Sequence, residues 1–127
     1  MNVPDDLKYS TDHEWVRVDD AGVATIGITD YAQDALGDVV FIELPEAGVS
    51  IETGASFGEV ESTKSVSDLF APITGKVTQV NDQLVDNPEK VNEDPYGEGW
   101  ICVIEPSDTA EFSALLDASA YSELIEG

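Results

Sequence analysis

Apolar and polar positions alternate over short stretches of this chain, and turn residues separate the stretches. Glu14–Val18 (EWVRV) alternates and stops at Asp19–Gly22 (DDAG), a turn signal; Val23–Ile28 (VATIGI) then resumes, and the two read as a hairpin. In the next segment Thr29 suits a helix N-cap, Asp30 the first turn and Gly37 the stop, so TDYAQDALG predicts one short helix. The β-branched and aromatic run Val39–Leu44 is a strand ended by Pro45. VSIETG leads into ASFGEVES, a strand before Lys64, and SVSDLFAP is a strand after it. Gly75–Val80 and Gly99–Glu105 complete the set, joined by Asn81–Glu98, a polar surface connection with short structure of its own.

The pattern changes near the end. Asp108 and Glu111 have capping-box spacing, and Phe112, Leu115 and Leu116 follow at the i, i+3, i+4 positions of a helical stripe. Tyr121, Leu124 and Ile125 repeat that spacing and suggest a second short turn of helix. The segment from about 108 to 126 therefore reads as a helical tail packed over the sheet, and the fold class is mainly β with short helices. At 127 residues, the chain has room for one domain, 1–127, and one core.

Composition sharpens this. The chain has 27 Asp plus Glu, five Lys plus Arg and a formal charge of −22. The hydrophobic share of 42% supports a folded core despite that charge. No basic stripe exists to release counterions from a phosphate backbone, so nucleic acid and anionic membrane are excluded as partners. The acids are spread along the chain, which resembles the solvated surface of proteins from high-salt cytoplasm; at 1 M salt the Debye length of about 3 Å would screen their repulsion. Cys102 is a lone cysteine in an apolar run and reads as a buried thiol. No signal-peptide pattern and no 18-residue apolar run is found, which makes cytoplasm the expected location.

Familiar catalytic motifs are missing. HEWVR at His13 starts like a zinc-protease motif but has Arg17 at the fifth position, and the chain has one histidine. G-x-S-x-G is not found, GEGWIC lacks the third glycine of a dinucleotide fingerprint, and Gly75–Lys76 continues into Val77 rather than Ser or Thr.

Lys64 stands apart. It divides two strand-like runs within GEVESTKSVSDLF, and the polar, turn-compatible STKS puts it at an exposed hairpin tip. A Schiff-base lysine needs a depressed pKa from burial or a neighbouring cation. Here Glu59, Glu61 and Asp68 flank it, and anions favour the charged form. Such a lysine is a poor imine catalyst and a good substrate for modification.

TDHEWV, GITDYAQDALGDVVFIELPEAG, ESTKSVSDL, the API-TGKV segment and VNEDPYGEGW occur in order, and from about Leu7 to Ile104 the chain resembles the H proteins of the glycine cleavage system. The resemblance implies the flattened barrel-sandwich hybrid of lipoyl and biotinyl carriers, with lipoate joined covalently through an amide to Lys64. Thr63 and Ser65 flank that lysine where biotin carriers usually have methionine, which favours lipoyl. It also implies a carrier role without catalysis: the P protein (glycine decarboxylase) loads an aminomethyl group, the T protein (aminomethyltransferase) transfers it, the L protein (dihydrolipoyl dehydrogenase) reoxidises the dithiol, and a lipoylation enzyme attaches the arm. Related proteins fold the arm into a cleft near HEW, making Glu14 the first candidate carboxylate for its amine and Asp68 the second; the alternative is that Glu14 is one surface acid among many. Ala35 stands where some relatives carry histidine. A lipoate-relay protein, delivering lipoyl groups to other acceptors, would share the same attachment motif.

Overall fold

The computed structural model describes residues 2–126. In chain order the strands and helices are β1 (Lys8–Tyr9), β2 (Glu14–Val18), β3 (Ala24–Ile28), α1 (Asp30–Leu36), β4 (Val39–Glu43), β5 (Ser50–Ile51), β6 (Ser56–Ser62), β7 (Val66–Phe70), β8 (Gly75–Val80), α2 (Gln83–Asp86), α3 (Lys90–Glu93), β9 (Cys102–Pro106), a 3-10 helix (Thr109–Ala114) and α4 (Ala118–Glu126). They form two antiparallel sheets, β1-β2-β3-β9-β8-β5 and β4-β6-β7. The mainly β expectation is met, in a sandwich whose two sheets are not joined into a closed barrel. The inner faces share a core that includes Ile26, Ile42, Val60, Ile73, Val77 and Ile104.

Local chemistry accounts for the first half. Asp19 Oδ1 accepts from the amides of Ala21 and Val23, and Gly22 takes φ 83°, which closes the β2–β3 hairpin. Thr29 caps α1 by accepting from the Ala32 amide, and Gly37 ends it at φ 82°. Trp15 lies opposite Gly27 in the β2–β3 register. A Cβ on Gly27 would stand 2.5 Å from the Trp15 ring, so the glycine makes room for the indole.

A smaller aromatic cluster of Leu7, Tyr9, Trp15, Ala118 and Tyr121 lies beside the main core, beyond the one core expected from length. Tyr9 and Tyr121 stack with centroids 4.6 Å apart, which ties α4 to β1. The unforeseen strand β1 supplies that tyrosine.

The tail is helical in two pieces, as the repeated spacing suggested, but the first is a 3-10 helix without a capping box. Asp108 does cap, accepting from the Ala110 amide. Glu111 does not reach back to complete a capping box; its carboxylate accepts from the Thr74 amide at 2.6 Å and the Thr74 hydroxyl at 3.0 Å. Leu116 leaves the helical path to form a β-bridge with Tyr9. The tail packs on the body in two pieces, as expected, and what the sequence did not foretell is the extended joint between them.

The connection 81–98 contains α2 and α3, anchored by buried Leu84 and Val91. Cys102 is buried, and burial pushes its thiol up to about 12.

Candidate functional site

Lys64 is exposed at the tip joining β6 and β7. The tip has two residues between Ser62 and Ser65, yet neither adopts the left-handed backbone of the usual two-residue hairpin turns. The Ser62 hydroxyl compensates: it accepts from the Lys64 and Ser65 amides at 3.2 and 3.1 Å and donates to the Ser65 carbonyl. Ser62 also donates its amide to that carbonyl at 2.8 Å. This short loop needs a hydroxyl as its internal brace, a role the sequence pattern alone did not single out.

The tip rests on α1. The Thr63 amide donates to Asp38 O at 3.0 Å, and the Lys64 alkyl stem lies over Gly37, where a Cβ would stand 3.2 Å from Lys64 Cε. Asn92, from α3, fixes this footing: its side-chain amide donates to Gly37 O at 2.8 Å and its carbonyl accepts from the Val39 amide at 2.8 Å. Among the described residues the ion pairs belong to Lys90, so the acids near Lys64 do not hold its ammonium.

A cleft of about 300 Å³ opens beside the stem of the tip. Its walls include apolar Ile28, Ala32, Leu36, Val60 and Leu69 from both sheets and α1, and Ala35 lines it as well. Ser65 at the tip and Ser67 and Asp68 in β7 line it, as do Asp12 and His13 just before β2 and Glu14 at its start. The geometry thus brings both candidate carboxylates to one cleft whose wall reaches the residue next to Lys64.

The two carboxylates differ. Asp68 is exposed, whereas Glu14 is 2% exposed. Burial raises the Glu14 carboxyl from 4.5 to about 8, against the hydrogen bond from the Ser10 hydroxyl, which lowers it; the Asp12 charge adds to the rise. Glu14 is therefore not an ordinary surface acid: its burial favours the neutral form. The alternation of EWVRV placed it on the face of buried Val16, a signal that was available.

A larger groove of about 620 Å³ lies near β5, bordered by Glu43, Glu46 and Glu52. It does not include the Lys64 tip, and no buried polar side-chain atom among the described residues lacks a partner to point into it. No cluster of metal-binding side chains is present among the described residues, and no described helix is long and apolar enough to cross a membrane.

The family model for glycine cleavage H-protein matches residues 7–127. The chain belongs to this family. It is 57% identical over 123 residues to a glycine cleavage system H protein of Halorhodospira halophila, covering 97% of this chain and 95% of that one. It is 56% identical over 126 residues to one from Anaeromyxobacter sp., covering 99% and 98%. Among solved structures, a glycine cleavage system H protein from Mycobacterium marinum superposes with a TM-score of 0.89 at 44% identity, over 98% of this chain and 100% of that chain. The fold inferred from the motif order is therefore that of the family.

Proposed function

We propose that this chain is the lipoyl-bearing shuttle of a glycine cleavage system, a single carrier domain whose arm is an amide of lipoate on Lys64. The observation that carries the reading is spatial: an exposed lysine on a braced tip stands at the mouth of a cleft with an apolar wall and a buried carboxyl. The cleft holds the volume of about ten liquid waters. Its aliphatic strip suits the hydrocarbon chain of lipoate, and Asp12, Glu14 and Asp68 suit a cationic cargo at its end. When bound, lipoate supplies a dithiolane whose sulfurs take up and release the carried unit.

The chain's own residues do the rest. Ser62, Gly37 and Asn92 hold the lysine outward for a lipoylation enzyme. Ile28, Leu36 and Leu69 shelter the arm from water. Glu14, neutral while the cleft is empty of charge, releases its proton to bulk water when an ammonium arrives, and the resulting pair offsets the cost of both buried charges. The chemistry belongs to partners: a P protein loads the aminomethyl group, a T protein accepts it and an L protein reoxidises the dithiol. The tether raises the cargo's local concentration at a docked partner to the order of mM. The site of action is the cytoplasm.

Intact mass after incubation with a lipoylation enzyme tests the attachment: a lipoyl increment on the wild type and none on Lys64→Arg is expected, and an unmodified wild type beside a modified control lipoyl domain defeats the reading. Reconstitution of glycine cleavage with P, T and L proteins separates the shuttle from a lipoate relay, which would take lipoate but not support turnover.

A further inference from the structure

Among the described residues, His13 is the one non-glycine with left-handed backbone, at φ 71°. That region is costly for a residue with a Cβ and free for glycine. What the site gains therefore lies in the imidazole. Two hydrogen bonds hold the strained backbone: His13 donates its amide to Ser10 O at 3.2 Å, and Thr29 donates its amide to His13 O at 3.0 Å. The ring packs against Tyr31 with centroids 4.8 Å apart and lines the cleft. Its Nδ1 lies 2.8 Å from Tyr121 Oη, which lies 2.7 Å from Thr29 Oγ1.

Burial fixes the direction of this chain. Thr29 and Tyr121 are both 0% exposed, so neither hydroxyl can turn to solvent. Thr29 Oγ1 accepts from the Ala32 amide, and the one acceptor recorded for its own hydrogen is Tyr121 Oη. Tyr121 then has His13 Nδ1 as the acceptor for its proton. Reversing the chain would protonate Nδ1 and leave the Thr29 O–H unpaired in the core, a penalised arrangement. Nδ1 is thus a bare acceptor, and the neutral ring carries its proton on Nε2. Two tendencies agree: burial lowers the His13 pKa against the opposing charge of Asp12, and burial pushes the Tyr121 phenol up to about 12, keeping it a donor.

We propose that His13 is a fixed-tautomer hydrogen-bond donor to the lipoyl arm: it offers the cleft an N–H at Nε2 and no lone pair that could act as a base. This rests on the carrier reading above. The groups that face the ring are Tyr121 from α4, Tyr31 from α1, its neighbours Asp12 and Glu14, and Asp68 across the cleft. An ammonium cargo is left to the carboxylates, while Nε2–H serves a neutral acceptor, an oxygen or sulfur of the arm. Tyr121 becomes a positioning residue, and α4 becomes part of the site through it. A bare Nε2 would instead draw a proton from a bound amine and expose it to loss.

The chain's single histidine makes the test clean. In lipoylated protein labelled with 15N in the histidine ring, long-range 1H–15N spectra at neutral pH should show a pyrrole-type Nε2 and a pyridine-type Nδ1. The Nε2 signal should move between the unmodified and the aminomethyl-loaded protein. In Tyr121→Phe the ring's titration midpoint should rise toward the ordinary value of about 6.5, and the loaded arm should decay faster, by up to about 100-fold, the low end for a general base. A pyrrole-type Nδ1 in the wild type overturns the proposal, and this reading needs no variant to fold. So does an Nε2 signal unmoved by an arm whose attached mass is verified. Failure to gain lipoyl mass at Lys64 overturns the carrier reading itself, and is read by mass alone.

Discussion

The Ser10 hydroxyl and Glu14 close a ring of two hydrogen bonds: Oγ accepts from the Glu14 amide at 3.1 Å and donates to Glu14 Oε1 at 2.7 Å. The Phe70 backbone amide is a second group that favours the charged form of this carboxyl, and burial outweighs both.

Glu14→Gln should make the folded protein less sensitive to alkali. The folded carboxyl holds its proton up to about 8, while an unfolded one releases it near 4.5. Between these values the unfolded state binds fewer protons, so this group's contribution falls as pH rises, by about 1.4 kcal/mol per pH unit. The neutral amide has no such slope. The gap in unfolding free energy between Glu14→Gln and wild type should widen in favour of the variant, by on the order of a few kcal/mol, from pH 5 to pH 8. Urea unfolding across that range measures it; a constant gap would show that Glu14 titrates normally.

The same variant should shorten the life of a loaded arm. Glutamine cannot become an anion when the ammonium docks, and losing one partner of a shielded ion pair costs about 3–5 kcal/mol. Decay of the aminomethyl-loaded protein should quicken at least 10-fold. An unchanged decay rate removes Glu14 from the proposed site.

Ser62→Ala should loosen the tip without unfolding the body. It deletes a hydroxyl that accepts from two amides and donates to one carbonyl. A loss of about 1–2 kcal/mol is expected by thermal unfolding, with a slower initial rate of lipoylation read by intact mass. Ser62→Thr should retain most of both.

Gly27→Ala should damage the aromatic cluster. The added Cβ would meet a Trp15 ring that cannot retreat easily, since its Nε1 donates to Pro95 O at 2.9 Å and Arg17 stacks over it at 4.8 Å. Overpacking of this kind costs about 1–3 kcal/mol, and near-ultraviolet circular dichroism should report the displaced indole.

Salt should stabilise the chain. With a formal charge of −22 and ion pairs confined to Lys90 among the described residues, added KCl mainly screens repulsion. The unfolding midpoint should rise steadily toward molar salt; an indifferent midpoint contradicts a high-salt adaptation.

Where local chemistry settled the backbone, it could be read from sequence. Glu14–Val18 and Gly75–Val80 were delimited by their turns, and Thr29 and Gly37 marked the ends of α1. The exposed tip that carries Lys64 was legible because STKS is a turn. The second helix of the tail was legible too, but its first half was not, because partners distant in sequence claimed its residues: Thr74 took Glu111, and Tyr9 drew Leu116 into a bridge. Asn92 lay hidden in a polar connection for the same reason, its three contacts reaching Gln33, Gly37 and Val39. His13 was visible as a residue type but not as a role, since its tautomer depends on hydroxyls 16 and 108 positions away, at Thr29 and Tyr121.

Lys64 is the single cation of its hairpin, and the amide proposed for it would erase that charge. Before modification an approaching protein meets one positive point on a negative surface; afterwards it meets the same surface without a landmark. An enzyme that finds the tip by that charge loses its handle once the bond is made. On that proposal the finished product would be a weaker ligand than the substrate, and the hairpin would carry its own relief from product inhibition.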